Sequence, residues 1–183
     1  MLVAEQVTFV VVAADSAVLV EARSSVGPIT FGTMTVSGQI DSALHGGTVD
    51  TRLPTAATLA VPVASLRSGN PLYEAEVRSR LDARRFPEIT AVLHTITALG
   101  PGRFAVTGAV TIQGTSRELS GGLELTLAED GTALVTGSQT IDMRDFAIDL
   151  PTVLMLKIYP DVTVRFRIRA VRVLHSQESR EST

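Results

Sequence analysis

Residues 71–85 read PLYEAEVRSRLDARR, a pattern found nowhere else in the chain. In this segment an apolar side chain recurs at every fourth position: Tyr73, Val77 and Leu81. That spacing places the three side chains on one stripe of a helix. Asn70 precedes the first proline and supplies a capping side chain at the helix start. We therefore predict a helix over about residues 71–85, ended by Pro87.

Outside this segment, apolar and polar residues alternate with a period of two, which is typical of half-buried strands. In residues 162–170, for example, valine, phenylalanine and isoleucine alternate with threonine and arginine. About eight or more such antiparallel segments follow one another between turn signals, which favours a closed barrel. We therefore predict an all-β fold with one helix insertion, in a single domain over residues 1–174. The polar residues 175–183 are predicted to be a disordered tail.

Composition excludes several classes of function. The chain has 183 residues, no cysteine and a formal net charge of -3, so thiol chemistry is absent and a nucleic-acid partner is not expected. The first residues carry no basic side chain, and no apolar run approaches the roughly 20 residues of a membrane span. We therefore expect a cytoplasmic protein that does not span a membrane.

The barrel interior is predicted to hold a ligand. Only 4% of the residues are aromatic, and many inward positions carry Val, Ala, Gly or Thr, so the side chains fill little of the interior. An eight-stranded barrel is wide enough to be filled by side chains or to hold one small ligand. Alternation along the strands predicts these lining residues: Val18, Val20, Met34, Val36, Phe104, Val106, Ile112, Ile141, Phe146, Val164, Phe166 and Ile168.

The sequence shows no enzyme signature, and we expect no catalytic residue, metal or cofactor. Three histidines lie far apart and without the spacing of metal ligands: His45, His94 and His175. Asp142, Asp145 and Asp149 lack the spacing of a calcium loop, and Arg144 lies among them, so an ion pair is the better interpretation. A stripe of arginines on the last strand is predicted to face solvent: Arg165, Arg167 and Arg169.

Three segments in this order resemble the YceI-like family of lipocalin-like barrels, which are described as polyisoprenoid binders. Residues 69–90 resemble that family's helix and the aromatic-Pro-x-Ile turn after it. Residues 106–117, VTGAVTIQGTSR, resemble its V-x-G-x-L-T-I-x-G-x-T/S-R segment, and residues 141–148, IDMRDFAI, resemble its Ile-Asn-Arg-x-x-Phe-Gly segment. The likeness extends from about residue 15 to residue 170.

The resemblance implies a lipocalin-like antiparallel eight-stranded β-barrel that holds a long isoprenoid, such as a quinone or a prenyl phosphate, in a carrier or storage role. It also implies a possible homodimer. The chain departs from the family at Tyr73-Glu74-Ala75-Glu76, where an Arg-Asp-x-His pattern is usual, and at Met143 and Ala147. Two alternatives stay open: a filled barrel that acts as an interaction or stress-response module, and a hydrolase that uses Asp142 and Asp145.

Overall fold

The computed structural model describes residues 3–148 and 156–174. Within these residues the chain forms one α-helix, α1 (Pro71–Arg80), three short 3-10 helices and eleven strands. The strands are β1 (Glu5–Val11), β2 (Ala17–Ser24), β3 (Gly27–Thr33), β4 (Ser37–His45), β5 (Thr48–Val49), β6 (Ala56–Pro62), β7 (Glu88–Gly100), β8 (Arg103–Ile112), β9 (Thr115–Leu127), β10 (Thr132–Asp142) and β11 (Ile158–Val173).

The sheet closes on itself. Hydrogen-bonded neighbours follow the order β1, β4, β6, β7, β8, β9, β10 and β11, and β11 then pairs with β1. Every one of these pairings is antiparallel. The predicted all-β fold, an eight-stranded antiparallel barrel with one helix, is therefore confirmed.

Two of the eight strands in the barrel wall continue past a bend into a second segment. The first is β1 with β2, and the other is β4 with β3. β1 and β2 both pair with β11, at residues 170–173 and 158–167 respectively, and a 3-10 helix (Ala13–Asp15) separates them. β3 and β4 return along the same path, because β3 pairs with β2 and β4 pairs with β1. The chain leaves the sheet at residues 34–36, between β3 and β4. The period-two alternation of Met34, Val36, Gly38 and Ile40 predicts one unbroken strand there, and this bend changes which side chains face inward.

The barrel wall is incomplete along the outer edge of β3. Among the described residues, β3 pairs with β2 on one side. On the other side its backbone bonds only to Arg67, through an isolated bridge at Gly32, and the hydroxyls of Thr33 and Ser65 lie 2.8 Å apart. Residue 67 belongs to the connection that leads from β6 to α1. The connection and the helix therefore lie where the strands leave the wall open.

The helix begins as predicted and ends earlier. Asn70 accepts a hydrogen bond from the Leu72 amide at 3.0 Å, and the Glu74 carboxylate accepts one from the Ser68 amide at 2.9 Å. The latter bond is the main reason that the pKa of Glu74 lies below its usual range. The helix ends at Arg80, because Asp82 adopts a left-handed conformation with φ of 47°. It therefore stops well before Pro87.

The turn at residues 86–87 predicts that Phe86 is buried against the barrel, but its side chain is only half-buried. Its ring covers Gly114, where an added Cβ would lie 2.7 Å from the Phe86 Cε1 atom. The Arg85 guanidinium carbon lies 5.3 Å from the centre of the same ring. Phe86 thus packs on the turn between β8 and β9 and does not enter the core.

Two apolar clusters lie at the two ends of the barrel. The helix-end cluster packs side chains of the helix and of the segment after β10 against the strands: Val63, Leu81, Ile112, Ile141, Phe146 and Ile148. The far-end cluster is built mainly from β1, β10 and β11: Val7, Phe9, Ala133 and Ala170. The arginines of β11 lie on the face of the strand that points away from the barrel interior, and Arg165 and Arg167 are exposed as predicted.

An ion pair with a buried carboxylate and an exposed guanidinium follows β5. The side chain of Asp50 is only 7% exposed, and the Arg52 guanidinium donates to its two oxygens at 2.8 Å each. These bonds, together with the Arg52 amide, lower the pKa of Asp50 from 3.8 to about 2. Because protonation is harder in the folded state than in the unfolded state, the pair stabilises the fold above pH 3.8, and this stabilisation is lost as the pH falls towards 2.

We expect Asp50→Asn to flatten the dependence of unfolding free energy on pH in that window. The measurement is urea denaturation at a series of pH values from 5 to 2, with the parent protein beside it. An unchanged slope in the variant would mean that the Asp50 carboxylate does not contribute to the acid sensitivity of the fold.

Among the described residues, no helix has the length and apolar character needed to cross a bilayer. The prediction for residues 175–183 lies outside the described residues, as do Asp149 and His175.

Candidate ligand-binding site

An apolar cavity of about 440 Å³ occupies the half of the barrel nearest α1. Its volume lies in the range of about 300–1,000 Å³ that is usual for small-molecule sites. The walls come from inward-facing side chains of β2, β3, β6, β7, β8, β10 and β11, and α1 contributes one side. Nearly all of the lining atoms are carbon. The cavity can therefore bind by burial of hydrocarbon and offers few hydrogen bonds along its length.

Eight of the twelve residues predicted to line the interior border this cavity. They come from five different segments of the chain: Val18, Val20, Val36, Val106, Ile112, Ile141, Val164 and Phe166. Alternation brings them together because directly opposed residues of antiparallel strands share a face, as Val20 does with Val164. A ligand-binding role for these residues stays a prediction.

The other four predicted residues lie elsewhere. Phe104 and Ile168 face inward but are buried beyond the end of the cavity, at 7% and 1% exposure. Phe146 is 1% exposed within the helix-end cluster. Met34 is 60% exposed because it lies in the bend between β3 and β4, where the strand alternation is interrupted. The barrel is therefore filled in one half and hollow in the other.

Several lining residues were not predicted as site residues. The strands β6 and β7 contribute Leu59, Val61, Ile89 and Leu93, and the helix contributes its apolar stripe: Tyr73, Val77 and Leu81. Leu59 and Val61 are two residues apart in β6, so period-two alternation indicates these inward positions as clearly as it does in β8. The role of the helix stripe required the fold, because sequence spacing alone does not distinguish packing against strands from bordering a cavity.

Two glycines make room for large side chains in the cavity wall. An added Cβ on Gly137 would lie 2.4 Å from Cζ of Phe166, so this ring rests directly on the backbone of β10. On Gly121 an added Cβ would lie 2.4 Å from the amide oxygen of Gln139. Gln139 is the amide side chain of the cavity wall, and its Nε2 donates to the Thr140 carbonyl at 3.3 Å. Glycine at both positions keeps the interior wide.

The charged lining residues of the cavity are Glu76 and Arg80 on α1. They form an ion pair with 2.6 Å between Arg80 Nε and Glu76 Oε1, and their side chains are about one third exposed. The same two residues also line a smaller, polar pocket with Ser79, Gln113 and Ala147. The apolar cavity thus meets polar surface at this ion pair.

Titratable groups outside the cavity form ion pairs with their neighbours. Arg144 donates to both oxygens of Asp142, at 2.6 Å for the shortest bond, and holds the pKa of Asp142 below its usual range. The ion pair predicted for this segment is therefore present. His94 contacts Glu118 at 3.1 Å on the outer face of the barrel. Among residues 3–148 and 156–174, no three His, Cys, Asp or Glu side chains are grouped so that they could hold a metal ion.

Several solved structures have the same architecture. BcnA of Burkholderia cenocepacia is 21% identical, with a TM-score of 0.75 over 88% of this chain and 99% of that chain. A polyisoprenoid binding domain from Saccharophagus degradans, implicated in plant cell wall breakdown, is 14% identical, with a TM-score of 0.72 over 90% of this chain and 98% of that chain. The YCEI protein of Campylobacter jejuni is 14% identical, with a TM-score of 0.56 over 70% of this chain and 75% of that chain.

At these identities the likeness shows the fold alone. A search of curated proteins gives no match. The model of the YceI-like domain family, however, matches residues 9–170, which is nearly the whole barrel from β1 to β11. The resemblance identified from the three sequence segments is confirmed, and the chain belongs to the YceI-like domain family.

Proposed function

We propose that this protein binds a polyisoprenoid or a similar long-chain amphiphile in the hollow half of its barrel and carries or stores it. The observation that carries the proposal is the apolar cavity of about 440 Å³ between the strands and α1. The family match and the polyisoprenoid binding domain with the same fold support it. A quinone or a prenyl phosphate would be the ligand class.

Chain burial alone supplies enough free energy for such binding. At about 0.8 kcal/mol per CH₂ group, about ten buried carbon atoms contribute about 8 kcal/mol. This is the free energy of a micromolar Kd, although the loss of ligand freedom opposes it and a longer chain compensates. The site requires no catalytic group, so we propose a binding protein and not an enzyme. A cytoplasmic location, a single domain over residues 1–174 and a homodimer complete the proposal.

Native mass spectrometry of gently purified protein tests this function most directly. A bound mass in the isoprenoid range, released by organic extraction and identified by its fragments, is the expected result. Protein that emerges free of ligand and also fails to take up added quinone would favour the filled barrel that acts as an interaction module. Turnover on a panel of esters would favour the hydrolase alternative.

A further inference from the structure

The apolar cavity and the polar pocket share Glu76 and Arg80, and they share no other described residue. The first space has an almost entirely hydrocarbon lining, whereas the second is lined mainly by polar atoms. An amphiphile needs this combination, because its tail is transferred out of water while its headgroup keeps hydrogen-bonding partners. The geometry places the boundary between tail and headgroup at these two side chains.

The charges at this boundary cancel. Arg80 donates from Nε to Glu76 Oε1 at 2.6 Å, so its guanidinium is already paired within the helix. Among the described residues that line either space, no other side chain carries a charge. A phosphate that entered here would meet the half-buried Glu76 carboxylate beside Arg80, so that repulsion from Glu76 would offset the attraction of the guanidinium. Like charges at close range in a partly desolvated site repel each other strongly.

Hydrogen-bonding groups surround the ion pair. The side chains of Ser79 and Gln113 line the polar pocket, and neither makes a side-chain hydrogen bond to another residue within the described ranges. A serine hydroxyl and a glutamine amide together offer both donors and acceptors without net charge. This set matches a hydroxyl or a carbonyl headgroup, each of which uses neutral donors and acceptors.

We propose that the polar pocket bordered by Glu76 and Arg80 is the headgroup site of the bound amphiphile, and that the ion pair selects uncharged hydroxyl or carbonyl headgroups over phosphates. This inference rests on the proposed function and narrows it to the neutral ligand class. Glu76 acts as the specificity-determining residue, because its negative charge offsets the arginine that would otherwise attract an anion.

Farnesol and farnesyl diphosphate test the proposal, since they share one tail and differ in headgroup charge. Each is titrated by displacement of an uncharged hydrophobic dye, N-phenyl-1-naphthylamine, from the full-length protein, below the concentration at which the diphosphate aggregates. We expect the parent to bind farnesol at least about tenfold more tightly than farnesyl diphosphate. Glu76→Gln should raise the affinity for the diphosphate relative to farnesol by about tenfold, because Arg80 is then free to pair with phosphate.

Glu129→Gln is the matched control, because it removes the same charge from an exposed position in the turn between β9 and β10. It should leave the preference for farnesol as in the parent. Equal binding of the two ligands by the parent would overturn the headgroup assignment, as would the same response of Glu76→Gln and Glu129→Gln. If neither isoprenoid displaces the probe, the proposed function itself fails, and the headgroup assignment fails with it.

Discussion

Replacing Val106 with tryptophan should weaken the binding of a long-chain quinone about a hundredfold. Val106 lines the cavity on β8, and the larger ring would occupy space otherwise open to the ligand. If the indole displaces about four chain carbons, the lost burial is about 3 kcal/mol at about 0.8 kcal/mol per CH₂, which corresponds to about two orders of magnitude in Kd. A fluorescence titration of the folded variant measures the change.

Two controls separate loss of space from other effects. Thr97→Trp adds a similar ring to the outer face, because Thr97 is exposed and pairs with Ala105, the neighbour of Val106 in β8. Arg165→Ala removes an exposed charge from β11 and tests headgroup contacts on the outside. Both should bind like the parent. Binding that survives in Val106→Trp and disappears in Arg165→Ala would place the ligand on the outer face and contradict the proposed cavity site.

Replacing Phe146 with alanine should have the largest effect on stability, a loss of about 3–5 kcal/mol. Phe146 is 1% exposed and packs in the helix-end cluster with Leu81 and Ile112, so its removal leaves an empty space that these neighbours cannot fill. Urea denaturation should show a lower midpoint and an unchanged m-value, since the surface exposed on unfolding changes little.

Phe86→Ala is the matched comparison, because it makes the same substitution at a half-buried ring that packs on Gly114 outside the core. Its expected loss is about 1–2 kcal/mol, roughly half the value for full burial. If Phe86→Ala proves as destabilising as Phe146→Ala, the turn between β8 and β9 contributes far more to the fold than its exposure indicates. A loss below about 1 kcal/mol for Phe146→Ala would show that the helix-end cluster repacks around the missing ring.

The sequence predicted the fold well because two signals agree along the chain. Period-two alternation in β8 and β11 fixes which side chains face inward, and neighbouring strands confirm it through their register, as for Val18 opposite Thr33 and Phe166. The helix was evident because its apolar stripe is the single switch to a helical period. Its early end was missed, because the left-handed conformation of Asp82 leaves no clear mark in the sequence.

The site was harder to predict than the fold. Alternation tells which face a residue occupies but not how deep it lies along the barrel axis, so Phe104 and Ile168 were grouped with true cavity positions. A short bend reverses the phase of alternation, and Met34 lies in such a bend. The pairing of Glu76 with Arg80 at the border of the cavity could not be inferred either, since i, i+4 ion pairs on helices are common and mostly face solvent.

The bridge between Gly32 and Arg67 affects how fast a ligand can leave the cavity. Two backbone hydrogen bonds, of 2.8 and 2.9 Å, and one hydrogen bond between the hydroxyls of Thr33 and Ser65 join the outer edge of β3 to the connection before α1, whereas β10 and β11 are paired along eleven positions. Segments held by few backbone hydrogen bonds open at low free-energy cost, without global unfolding. A bound ligand should therefore leave the cavity through a transient separation of β3 from this connection. The time that a ligand stays bound then depends on these few hydrogen bonds as well as on the depth of the cavity.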